Sequence, residues 1–170
     1  SGGVVKVDGK NISGNSVFIG GRHGSTVTGT ANALMLAVLT PGSTILEGCA
    51  CEPEITDLCH MLESMGANIQ GTGSHLLKIE GVDKLSGCKH RVIPDRIEAG
   101  TYILAGAITG GELTIEGIDF EHMGSFLDLL KTAGMRVVQE DQSIIASLPA
   151  SLNPLEVVTL PFPGFPTDLQ

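Results

Sequence analysis

The sequence predicts an α+β fold built from a duplicated unit, and three observations carry that prediction. Leu-Thr-Pro-Gly-Ser-Thr-Ile-Leu-Glu-Gly at Leu39–Gly48 returns 69 positions later as Ile-Thr-Gly-Gly-Glu-Leu-Thr-Ile-Glu-Gly at Ile108–Gly117. Leu58–Ile69 and Phe126–Val137 echo each other as well, each ending a helical stretch on a glycine (Gly66, Gly134) that turns into a strand. A period of this length exceeds the roughly 20–50 residues of solenoid repeats, so the repeating object is a whole folding unit.

The elements follow in order. Val4, Val5 and Val7 before Asp8-Gly9, and Val17-Phe18-Ile19 before Gly20-Gly21, read as strands closed by turns. The first repeat opens on Gly20-Gly21-Arg22-His23-Gly24-Ser25-Thr26, then a helix to about Leu39. Its apolar stripe is Val27, Ala31, Leu34, Met35 and Val38, with Ser25 as N-cap and Pro41-Gly42 as stop. A strand at Thr44–Leu46 leads to Glu52-Pro53-Glu54, which begins a second helix with Pro53 in the tolerated first position. Ile55, Leu58, Cys59, Leu62 and Met65 form its stripe and Gly66 ends it. Strands at Asn68-Ile69 and Leu76–Ile79 complete helix, strand, helix, two strands.

The second repeat begins after Ile93-Pro94-Asp95: helix Ile97 to Ile108, strand Leu113–Ile115, helix Met123 to Ala133, then strands at Arg136–Gln139 and Ser143–Ala146. A strand Val157–Leu160 and a stiff turn with Pro161, Pro163 and Pro166 lead to Thr167-Asp168.

Composition narrows the function classes. A hydrophobic content of 42% over 170 residues is that of a globular chain. A net charge of −9 argues against nucleic acid or an anionic membrane as partner, because a phosphate-backbone footprint needs clustered Lys and Arg. A small anionic substrate remains compatible, since helix N-termini and a few local cations act at short range. Cys49, Cys51, Cys59 and Cys88 lack Cys-x-x-Cys or zinc-ligand spacing and read as reduced thiols. No apolar run approaches the ~20 residues of a bilayer span, so the reading is a soluble cytoplasmic protein without metal or cofactor.

Four places could carry chemistry, and each also has a plain structural reading. The Gly-rich entry to the first helix, with Arg22 and His23, has the form of an anion site, though a glycine turn before a helix is more often structural. Glu52 and Glu54 open a helix, where carboxylates stabilise the dipole anyway. Asp95 can cap the helix it precedes, and Arg96 can pair with Glu98. Asp168 is a carboxylate presented by a proline-stiffened turn, or simply a solvated loop aspartate.

Taken together, the strings Gly-Ser-Thr-Val-Thr, Cys-Glu-Pro-Glu-Ile-Thr-Asp, Ile-Pro-Asp-Arg-Ile-Glu-Ala-Gly-Thr and Phe-Pro-Thr-Asp-Leu-Gln, in this order, resemble the UDP-N-acetylglucosamine 1-carboxyvinyltransferases. These are enolpyruvyl transferases that begin peptidoglycan precursor synthesis. The resemblance runs from about Val5 to Gln170; Pro94–Thr101 and Phe165–Gln170 are its most specific parts, which the shikimate-pathway enolpyruvyl transferase of the same fold is not expected to carry.

The resemblance implies βαβαββ units arranged as an inside-out α/β barrel. Residues 1–93 would belong to the domain with the catalytic loop, and residues 94–170 would begin the other. It implies transfer of the enolpyruvyl group of phosphoenolpyruvate to the 3-hydroxyl of UDP-N-acetylglucosamine, with no cofactor. Asp168 matches the family's sugar-hydroxyl base. Arg22, His23, Gly24, Ser25 and Thr26 match the loop that holds the UDP portion, one residue shorter than the commoner form. Glu52, Asp95 and Arg96 match polar cleft residues. The family's loop acid, its N-terminal Lys-Asn pair and its phosphoenolpyruvate-gripping arginines have no counterpart here, and none of the four cysteines takes the acid's role. The expectation is therefore an internal piece of the enzyme that does not turn over alone and that self-associates through uncovered fold edges. The competing reading is a non-catalytic sugar-nucleotide-binding or interaction module on the same fold.

Overall fold

The computed structural model describes residues 3, 4, 6–22, 24–148 and 150–170. It divides into two compact units, residues 1–90 and 91–170, each with its own core.

In the first unit, β1 (Ser16–Phe18), α1 (Val27–Ala37), β2 (Ser43–Glu47), α2 (Pro53–Ser64), β3 (Asn68–Gln70) and β4 (Leu76–Glu80) follow in that order. The sheet order is β1-β2-β4-β3, with β1 parallel to β2 and the other pairs antiparallel. Both helices bury one stripe against this sheet. Leu34 and Ala37 of the first, with Val38 just after it, and Cys59 and Leu62 of the second join Leu46, Leu77 and Ile79 in one core. Gly66 adopts φ +103° and lets the chain leave α2 sharply toward β3.

The second unit repeats the order from its helix onward: α3 (Arg96–Ile108), β5 (Glu112–Glu116), a 3-10 turn at Phe120–His122, α4 (Gly124–Thr132), β6 (Arg136–Glu140) and β7 (Ser143–Ser147), with sheet order β5-β7-β6. The duplication extends to single core positions. Leu34 and Ile103, Cys59 and Leu127, and Leu62 and Leu130 occupy the same places in the two copies, and all six are buried.

Several sequence expectations are corrected. Val4 and Val7 are exposed coil, and Val5 lies outside the described residues. Val157–Leu160 is not a strand: Thr159 makes one isolated bridge, to Phe165. A β-branched run needs a neighbouring strand to become one, and at both places none is paired beyond that bridge. The last long helix starts at Gly124, because the preceding turn at Phe120–His122 is 3-10 and is capped by Asp119. Among the described residues no helix is long and apolar enough to cross a membrane.

Candidate functional site

The sequence-predicted residues divide between the units: Arg22, Gly24, Ser25, Thr26 and Glu52 in the first, Asp95, Arg96 and Asp168 in the second. His23 lies outside the described residues.

In the first unit, the two candidate loops both leave the carboxyl ends of the parallel pair β1 and β2, where an open α/β sheet leaves room for a ligand. Gly21 and Gly24 exchange backbone hydrogen bonds of 2.7 and 3.1 Å, closing a tight turn with Arg22 exposed. Gly24 sits at φ +106°, a conformation that favours glycine. Thr26, not Ser25, caps α1: its Oγ1 accepts from the Gly29 N–H at 3.2 Å. Neighbouring hydroxyl residues are equivalent as strings; the direction in which the loop enters the helix chooses between them. The first-turn amides beyond that bond have no intrahelical acceptor and form the positive end of the helix dipole.

The loop before α2 is stitched in place by residues the sequence reading passed over. Thr30, fully buried on α1, receives the Ala50 N–H on its Oγ1 at 2.9 Å and donates its own hydroxyl to the Thr26 carbonyl at 2.7 Å. His75 Nδ1 donates to the Cys49 carbonyl at 2.7 Å, while the Cys49 N–H donates to the His75 carbonyl at 3.1 Å. Thr30 therefore joins the cap of α1 to the loop that ends in Glu52. Glu52 itself sits at the start of α2 and is buried. Its carbonyl accepts the Ile55 N–H as α2 begins. The Ala50–Thr30 and His75–Cys49 bonds span 20 and 26 residues, separations that leave no local signal.

The thiols around this loop are subdued. Burial pushes Cys49 up to about 11, and Cys51 and Cys59 also rise, each chiefly through desolvation. The Cys51 Sγ lies 3.3 Å from His75 Nδ1. Among the described residues no group of three or more His, Cys, Asp or Glu side chains is arranged to hold a metal.

In the second unit, Asp95 is the N-cap of α3. One carboxylate oxygen accepts from the N–H groups of Ile97 and Glu98, at 2.8 and 3.1 Å. Arg96, the first helical residue, carries its guanidinium over the Phe162 ring, 5.5 Å from the centroid. That contact ties the helix start to the proline-rich tail. The tail folds back on itself: Leu160 N–H donates to the Phe165 carbonyl and Gly164 N–H to the Pro161 carbonyl. Phe165 packs on Phe126, and Leu169 enters the second core beside Gly100, where a Cβ would come within 2.7 Å of a Leu169 methyl. Asp168 is exposed in the short 3-10 helix Thr167–Leu169, adjacent to that anchor. A small crevice lined by Arg96, His122, Ser125, Gly164 and Pro166 reaches the Leu169 anchor.

This arrangement offers an anion-attracting helix start, a buried glutamate and, in the other unit, an arginine and an aspartate fixed to one helix end. The profile of the EPSP synthase (3-phosphoshikimate 1-carboxyvinyltransferase) family matches residues 2–170. The chain belongs to that family. Curated relatives named UDP-N-acetylglucosamine 1-carboxyvinyltransferase include one from Methylacidiphilum infernorum, 49% identical over 99% of this chain and 40% of its own length. Another, from Koribacter versatilis, is 46% identical over 99% and 38%. Among solved structures, the enolpyruvyl transferase NikO from Streptomyces tendae superposes with a TM-score of 0.78 at 25% identity, covering 97% of this chain and 43% of NikO. EPSP synthase from Acinetobacter baumannii shares the fold, with a TM-score of 0.57 at 18% identity. The chain thus spans about 40% of the length of the curated relatives it matches.

Proposed function

We propose that this chain forms part of a UDP-N-acetylglucosamine 1-carboxyvinyltransferase, which moves the enolpyruvyl group of phosphoenolpyruvate onto the sugar 3-hydroxyl and releases phosphate, in peptidoglycan synthesis. The observation that carries the reading is the identity of nearly half of all residues, across essentially the whole chain, to relatives of that name. In this reading Asp168 accepts the proton of the 3-hydroxyl as its oxygen attacks C2 of phosphoenolpyruvate. An acid outside these residues protonates the methylene carbon, and phosphate then leaves from the tetrahedral adduct. Its exposed position beside the Leu169 anchor supports this role, because a base works only within hydrogen-bond reach of its proton.

Arg22, Gly24, Ser25 and Thr26 are proposed to bind the diphosphate, with the start of α1 supplying backbone donors. Glu52, Asp95 and Arg96 are proposed as polar groups lining the substrate site. Arg96 suits an anionic or hydroxyl-rich ligand, since its planar donors sit on a ring that restricts their motion. Phosphoenolpyruvate itself would be held mainly by residues outside this chain.

Calorimetric titration with UDP-N-acetylglucosamine, on the chain and on Asp168→Ala, tests the reading. Saturable binding that weakens about tenfold or more in the variant is expected, as for a lost charge-assisted hydrogen bond. Equal binding by both would remove Asp168 from the site. Phosphate release from the two substrates by the isolated chain at an ordinary enzymatic rate would overturn the expectation that it does not turn over alone.

A further inference from the structure

After the last strand of each sheet the chain returns along the second helix of its repeat. In the first unit the Ser86 N–H donates to the carbonyl of Met65, the C-cap of α2, at 2.8 Å. The Cys88 thiol lies 3.9 Å from the Met61 carbonyl, and His90 Nε2 donates to Asp57 Oδ1 at 2.9 Å. Residues 86, 88 and 90 thus meet residues 65, 61 and 57. Two extended residues advance about 6.7 Å and four helical residues about 6 Å. The returning segment therefore keeps step with one face of α2, as an antiparallel strap. It has no strand ladder, and residues 86–89 are exposed. His90 and Asp57 are not: their side chains are 16% and 13% exposed.

The second unit makes the same return with different chemistry. There the Asn153 N–H donates to the carbonyl of Ala133, the C-cap of α4, at 2.8 Å. The tail then reaches the first turn of α4, where Phe165 packs on Phe126 and Ser125 lines the crevice with Gly164 and Pro166. The offset that pairs Gly66 with Gly134 makes Asp57 the counterpart of Ser125. Each return ends on an apolar-Pro-x-x-apolar string that carries candidate site residues. These are Ile93–Ile97, with Asp95 and Arg96, and Phe165–Leu169, with Asp168. A ring contact holds the second string to its helix. In the first unit the His90–Asp57 pair stands in that place.

We propose that His90 and Asp57 are positioning residues, a clasp that decides where the chain is released from α2 toward Asp95 and Arg96. The proposal rests on the substrate-site reading of those two residues given above. Clasped, the strap lets go near the end of α2 that Glu52 caps, and residues 91–94 alone lead on to Asp95. Unclasped, the next firm tie is the Ser86 bond, because a thiol is a weak donor. The free run then grows from the four residues 91–94 to the eight residues 87–94. Doubling a flexible connection dilutes what it tethers by about threefold, following the −3/2 power of its length. The clasp is also hard to replace. A carboxylate as buried as Asp57 is left stranded when its donor is removed.

Trypsin cleavage of the folded 170-residue chain and titration with UDP-N-acetylglucosamine test the clasp together. His90→Asn withdraws the donor from Asp57, whereas His90→Gln sets an amide N–H near the place of Nε2 and should rescue. Asp57→Ala breaks the clasp from the other side and leaves the residues around the scissile bond untouched. Cleavage after Lys89 should quicken about tenfold in His90→Asn and in Asp57→Ala, and stay within about twofold of the native rate in His90→Gln. Cleavage after Lys131 in α4 should keep its rate throughout. The double variant, His90→Asn with Asp57→Ala, should be no worse than either single one. Nucleotide affinity should fall about threefold in both clasp-breaking variants and recover in His90→Gln. Unchanged cleavage after Lys89 would overturn the clasp. Faster cleavage with native affinity would leave the pair a structural tie of the first unit and overturn its positioning role. A native chain that takes up no sugar nucleotide would instead sink the substrate-site reading, and the positioning role with it, whatever the cleavage shows.

Discussion

Asp168 takes its position from the side chain that follows it. Leu169 is buried among Ala99, Ile103 and Phe126, and this insertion, with the Phe165–Phe126 contact, fixes the turn that presents the carboxylate. Leu169→Ala should cost about 2–3 kcal/mol, the low end for a buried leucine because the site is near the chain end and can partly collapse. Urea titration would read this loss, and the same variant should weaken sugar-nucleotide binding although the carboxylate is untouched. Unchanged binding would mean that the turn is held by its prolines alone. Cys49 supplies a pH dependence. Its pKa is pushed by burial from an ordinary 9 to about 11, so the folded state holds its proton more tightly than the unfolded chain. The associated stability is fully present below about pH 9 and is lost as pH rises toward 11, about 2–3 kcal/mol if the whole shift is realised. Thermal melts across this window should fall for the native sequence and fall less steeply for Cys49→Ala, which begins from a lower plateau.

At the scale of elements, the helices and the strands of both repeats were legible because each carries its own period and its own stop: Gly66 after the stripe Ile55, Leu58, Cys59, Leu62, and Gly134 after Phe126, Leu127, Leu130. Elements that depend on a distant partner were not. Val157–Leu160 has strand composition but no ladder; the choice of Thr26 over Ser25 as cap is local but rests on backbone direction, which either hydroxyl could serve. The candidate site was legible only in part, for the same reason. Asp95 as a cap follows from its place before an apolar stripe, but the bonds from Ala50 to Thr30 and between His75 and Cys49 span 20 and 26 residues and leave no local trace. Two substitutions separate local from long-range support. Thr26→Ala removes one cap and should cost about 1 kcal/mol. Thr30→Val keeps the volume but strands the buried Ala50 amide, and should cost about 1–3 kcal/mol. It should also weaken UDP-N-acetylglucosamine binding, because the loop leading to Glu52 loses its tie to α1. If Thr30→Val proves no more harmful than Thr26→Ala, the loop is held chiefly by the His75–Cys49 pair.

For the whole molecule, the duplication has an energetic meaning that helix and strand order alone does not convey. Each unit closes a core of its own, and equivalent places are filled by different apolar residues, of equal bulk at Leu34 and Ile103 and of unequal bulk at Cys59 and Leu127. Aromatic side chains are few: among the described residues the first core has none and the second has Phe126 with Phe120 and Phe165 packed against it, so much of the stability is spread over aliphatic contacts. Leu34→Ala and Ile103→Ala should each cost about 2–5 kcal/mol, since both side chains are buried and closely surrounded. The cost should stay within the unit that is mutated. Hydrogen exchange of the Leu34→Ala chain should quicken at amides of β2 and β4 while those of β6 and β7 keep their protection, and Ile103→Ala should reverse the pattern. Equal loss of protection in both units from either substitution would mean that the two cores unfold as one cooperative body, and that the repeat survives in sequence without being a unit of stability.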